Sequence, residues 1–114
     1  MDDEFIKRMV SNDTWSEDYK TAQQHADRLA NQIDGVKNVP PGTNISTQKY
    51  LMSATWNTVK TDLENFEKLK YLYENEPRKF PNVNKREIMS RIQKIEEFKN
   101  YVNGELSRDY RAIE

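Results

Sequence analysis

The chain is predicted to be all-α, a single domain built as an antiparallel three-helix bundle, and three observations predict it. Apolar residues recur in steps of four and three along three separate stretches, the spacing that lines one face of a helix. Clusters of proline, glycine and asparagine separate those stretches, and none alternates apolar with polar residues as a half-buried strand does. At 114 residues there is room for one core and not two. Hydrophobic residues are 35% of the chain, charged ones 32%, and the mean hydropathy is -1.05, which suits long helices that each bury a stripe and keep the rest in water. An aromatic share of 11% is too high for a disordered chain.

The first helix is predicted over about residues 4–34. Its seam is Trp15, Tyr19, Ala22, Ala26, Leu29 and Ile33, and Thr14 with Glu17 reads as a capping box. Upstream, Phe5, Ile6, Met9 and Val10 form i, i+4 pairs, so Ser11 to Asp13 is either a true break or a register slip within a longer helix, and a continuous or kinked helix is expected. Gly35, Pro40, Pro41 and Gly42 deny helical geometry to the stretch from Asp34 to Asn44 and end it there.

The second helix is predicted over about 46–75, on the seam Met52, Trp56, Val59, Leu63, Phe66 and Tyr73, with Lys70 in the remaining slot and Leu69 beside it. Pro77 stops it. The third, about 84–108, begins with Asn84 as N-cap, Glu87 three positions on, and Val83 placed to staple onto Ile88. Ile88, Ile92, Ile95, Val102 and Leu106 continue its seam with Phe98 alongside, and Gly104, worth about 1 kcal/mol less than alanine in a helix, predicts fraying beyond Leu106.

A net charge of -1 supplies no global field for nucleic acid or an anionic membrane. The absence of cysteine removes disulfides, thiolate nucleophiles and thiolate zinc sites. No apolar run approaches the roughly 18 to 20 residues that span a bilayer, and the acidic opening Asp2, Asp3, Glu4 has the wrong sign for a targeting peptide, so the chain is expected to be soluble. His25 is the sole histidine, neighbouring carboxylates such as Glu96 and Glu97 diverge on a helix, and the three glycines are scattered. No catalytic, cofactor-binding or metal-ligating residue is therefore assigned.

Two features suit a partner instead. Tyr50, Leu51 and Tyr71 are apolar yet off the seam of the second helix, which makes them candidate walls of a peptide groove or peripheral core contacts. Arg78 and Lys79, with Lys85 and Arg86 nearby, form a basic turn faced by Glu74, Glu76 and Glu87, either a solvated surface or a docking patch for acidic residues.

The same turn carries a resemblance. Asp62, Leu63 and Glu64, then Glu74, Pro77, Arg78, Lys79 and Phe80, then Glu87, Ile88 and Arg91, follow the order D-L-E, E-x-x-P-R-K-F, E-[IL]-x-x-R, after an acidic-aromatic opening at Asp3, Glu4 and Phe5. This resembles the N-terminal domain of the syntaxin 6 family of Qc-SNAREs, with Glu4 standing where that family has proline. The resemblance implies a Habc-type module on the cytosolic face of trans-Golgi network and endosomal membranes. It binds proteins such as a subunit of the GARP tethering complex, and its full-length protein is membrane-anchored. It also implies that the SNARE motif and anchor, through which other SNAREs and the membrane are met, are absent from these residues, with Tyr110 to Glu114 the start of a linker. A monomer is expected, with no cofactor and no nucleic acid. The alternative reading is a spectrin-like structural repeat, which the breaks at Asn44 to Ser46 and Pro77 to Asn84 disfavour.

Overall fold

The structure, a computed structural model, describes residues 3–113, so Asp2 of the acidic opening and Glu114 of the closing stretch lie outside the described residues. Five α-helical segments follow in order: α1 (Glu4–Asn12), α2 (Trp15–Lys37), α3 (Ser46–Asn75), α4 (Lys85–Tyr101) and α5 (Ser107–Arg111). A 3-10 turn at Pro77–Lys79 follows α3, and a π-turn at Val102–Leu106 joins α4 to α5 without a break, since Val102 and Ser107 both keep right-handed helical dihedrals. No strand occurs among the described residues, and none of their helices is long and apolar enough to cross a membrane.

The all-α bundle follows the predicted plan in its three long rods. His25 meets Asp62 and Tyr19 meets Phe66 across α2 and α3, while Tyr73, Lys70 and Trp56 meet Arg91, Glu96 and Tyr110 across α3 and the last rod. Contacts that advance along one helix as they retreat along the next are antiparallel. The result is 56 Å long and 25 by 20 Å across. Its turn pole carries the α1–α2 joint and the 3-10 turn, and its far pole carries the loop before α3, while Tyr110 of α5 lies level with Trp56.

Phe66 is the hub of the core. Phe5, Trp15, Tyr19 and Phe98 all approach its ring edge-on at 5.6 to 6.0 Å, an aromatic arrangement worth about 1 kcal/mol per pair beyond the area buried. Leu29, Val59, Leu69 and Ile95 are fully buried around it. α3 keeps its predicted bounds, and the Asn84 side chain accepts the Glu87 N–H at 2.8 Å as an N-cap should.

Several expectations are corrected. The first helix is two helices, broken at Asp13, whose φ of 47° is left-handed and whose N–H bonds back to the Met9 carbonyl at 3.2 Å. On one straight helix Met9 and Trp15 would face about 120° apart. The break folds α1 back against α2 and α3, so that Phe5, Met9 and Trp15 are all buried, and Arg8 reaches Asp18 at 3.2 Å. The capping box does not form. Thr14 has a ψ of 23°, outside the extended region an N-cap needs, and its hydroxyl donates to Asp18 at 2.6 Å. At its other end α2 runs through Gly35 to Lys37, burying Val36, and the reversal falls at Gly42 with a φ of 83°.

The seams hold at most positions and shift by one at single slots. Leu69 takes the buried slot of α3 and leaves Lys70 to bridge to Glu96; Thr55 is buried and Trp56 only half so. On α4 it is Arg91 that points inward, with Ile92 at the boundary. The rod does not fray at Leu106. Phe98, Val102, Leu106 and Tyr110 follow by fours, each step over-rotating an α-helix by about 40°, and the wider π-turn absorbs the surplus. Tyr110, expected in a linker, is a core residue stacked on Trp56 at 5.1 Å.

Candidate functional site

Among the charged groups that pair across helices, Arg91 and His25 are the two that could carry chemistry. Arg91 sits under the turn pole with its Nε donating to Glu87 at 2.7 Å and its terminal nitrogens donating to both oxygens of Asp13 at 2.7 and 3.0 Å and to the Tyr73 hydroxyl at 2.8 Å. Its guanidinium lies 5.4 Å from the Trp15 ring centre. Burial alone would lower its pKa, but the hydrogen bonds to Asp13, Glu87 and Tyr73 more than reverse this and hold it above the ordinary value. Four of its five N–H donors are used within the chain, so Arg91 clamps the α1–α2 joint to α3 and α4.

His25 bonds through Nδ1 to Asp62 at 2.7 Å, with both side chains about a quarter exposed. Burial raises the Asp62 carboxyl, and the bond to His25 opposes the rise. No nucleophile joins this pair, and the described residues hold no group of three His, Cys, Asp or Glu side chains that could bind a metal ion. The pair ties α2 to α3.

Three surface grooves hold candidate residues from the sequence. At the far half of the rod, Leu51 lies with His25, Arg28, Gln32 and Thr58 in a mixed groove of about 320 Å³ between α2 and α3, where the side-chain oxygen of Gln32 is buried without a partner. Nearer the turn pole, Tyr71 and Leu72 of α3 with Ile6 of α1 line an apolar groove of about 540 Å³, bordered by the Lys68–Asp3 pair at 3.5 Å. At the turn pole itself, Phe80, Val83, Ile88, Met89 and Ile92 line an apolar groove of about 510 Å³ rimmed by Arg78, Lys85 and Glu74.

The candidate residues from the sequence do not gather in one place. Tyr50 and Leu51 stand on the first turns of α3, and Tyr71 is twenty residues further along, about 30 Å away on a helix. Tyr50, Leu51 and Tyr71 are all exposed, and Tyr50 borders none of the three grooves described. Of the two basic candidates, Arg78 lines the turn-pole groove and Lys79 pairs with Glu76 at 3.6 Å. Sequence reasoning missed Met89, which is 63% exposed and lines that groove, while Lys85, placed beside the basic turn from the sequence, lines it too. The signal was present: Met89 is a large apolar residue one step off the α4 seam, and Lys85 and Arg86 are cations in a first helical turn, where the macrodipole disfavours them.

Compared with known proteins, the chain matches no family model, no curated protein and no solved structure.

Proposed function

We propose that the chain is a non-catalytic protein-binding module, the N-terminal regulatory domain of a Qc-SNARE of the syntaxin 6 type. In this reading it recruits tethering factors such as a GARP subunit to trans-Golgi network and endosomal membranes. One observation carries the proposal: the residues of the resemblance hold structural positions in the bundle. Asp62 bonds to His25, Leu63 is buried, Pro77 to Lys79 form the 3-10 turn, Phe80 plugs the pole against Tyr73, and Glu87 holds Arg91. Residues with architectural work are those a shared fold would retain. They also mark the fold rather than the binding surface, which falls to the exposed grooves.

The test is a calorimetric titration of the domain with short N-terminal peptides of GARP subunits, repeated with Tyr71→Ala and Arg78→Glu. Micromolar binding weakened by one variant supports the reading and locates the site; no binding to any peptide removes the family assignment. The spectrin-like reading gains one observation, since the last rod stays helical to Arg111 as a repeat with continuous helices requires.

A further inference from the structure

We infer that the groove at the turn pole is a docking site for a short acidic peptide carrying one or more large apolar side chains. The inference deepens the reading above by naming the partner chemistry of one groove, and it rests on that reading only in taking the domain to bind proteins.

The floor of the groove is apolar. Phe80, Val83 and Ile88 are buried, while Met89 projects from α4 at 63% exposure. A flexible thioether in the lining of a concave apolar surface adapts to varied side chains. The rim carries the charge argument. Of the acids around the turn, Glu76 is engaged by Lys79 at 3.6 Å and Glu87 by Arg91 at 2.7 Å. Arg78, Lys85 and Arg86 have no carboxylate within 4.0 Å among the described residues, which leaves Glu74 as the one rim acid facing them. Lys85 and Arg86 also occupy the first two positions of α4, adding to the partial positive charge of the helix start. Two cations where helix stability asks for anions break a local rule without an internal partner, the pattern expected where a surface is shaped for something outside the chain.

A peptide fits better than an anionic membrane. The apolar residues line a concavity between the turn and α4 and do not form a protruding wedge, and the net charge of -1 gives no long-range attraction to a lipid surface. An extended or helical segment would seat its apolar side chains along Met89 and Ile92 and set its carboxylates against Arg78 and Lys85.

The experiment is selection of random displayed peptides of about twelve residues on the intact domain, followed by anisotropy titration of the enriched sequences. Enriched peptides are expected to combine Asp or Glu with Leu, Phe, Ile or Trp, and to bind more weakly as salt rises. Met89→Glu and Arg78→Glu are each expected to weaken them about tenfold, and Leu51→Ser at the other groove to leave them unchanged. The double variant Arg78→Glu with Lys85→Glu should instead accept the same peptides with their acids replaced by lysine, a reversal that loss of folding cannot produce. Enrichment of basic or uncharged peptides, sensitivity to Leu51→Ser, no enrichment at all, or binding confined to phosphatidylserine vesicles would each overturn the inference. Selected acidic peptides that bind while GARP peptides do not would sink the family reading and leave this one standing; GARP peptides that bind only at the Leu51 groove would do the opposite.

Discussion

Phe80 closes the turn pole by setting its ring against Tyr73 at 4.7 Å with 3% of its surface exposed. Phe80→Ala is expected to lower unfolding free energy by about 3 kcal/mol, measured by urea denaturation, because the space it leaves is walled by α3 and α4 and cannot collapse. Arg91→Met should cost about 2 kcal/mol, toward the low side for a buried ionic hydrogen-bond network, since Asp13 and Glu87 are 36% and 45% exposed and water can replace the lost donors. Its specific signature is local: amide exchange over residues 4–12 should quicken more than over α3, because Arg91 ties the joint after α1 to the bundle. The role of Phe80 was legible, an aromatic just past a proline stop. That of Arg91 was not, because hydrophobic periodicity counts an arginine as a surface residue and passes over it, and here its partners came from three other segments.

Where a cap or a breaker acts on its own neighbours, elements were readable. Asn84 and Pro77 did so, and α3 and the start of α4 fell where expected. The joint at Asp13 and the π-turn were not readable because both settle a conflict of phase between stripes, which appears only once the stripes share a core. Gly104 lies in that π-turn with nothing within 4 Å of an added methyl, so Gly104→Ala should raise stability by about 0.5–1 kcal/mol in chemical denaturation. Lys85→Glu should raise the melting temperature as well, an effect of about 0.5 kcal/mol, by placing an anion at the start of α4. Between α3 and α4, the bond with Lys70 holds the Glu96 carboxyl below its ordinary value of 4.5, and Lys70 is held above its own 10.5 by the same bond. A depressed acid contributes stability that is present above its ordinary value and lost as pH falls through the lowered one. Glu96→Gln should therefore lower the melting temperature at neutral pH, and the gap to the unaltered protein should close on acidification below pH 4.5.

At the scale of the whole molecule, a radius of gyration of 16.6 Å exceeds the roughly 13 Å of a compact domain of this length. X-ray scattering is expected to return that elongation at the mass of one 13.6 kDa chain; a doubled mass would mean that an apolar groove is covered by a second copy. The bundle was legible as a whole because three stripes and two breaks leave one way to bury them. The grooves were not, since each is walled by segments far apart in sequence: Ile6 with Leu72, or Pro77 with Ile92. From Lys85 to Arg111 the last rod spans about 40 Å, and near its end Tyr110 is pinned on Trp56. A peptide seated in the turn-pole groove is thus held a fixed distance from the end of α5 at Arg111. The domain would act as a rigid spacer, and the local concentration of its cargo around that end would be governed by the rod's length and direction.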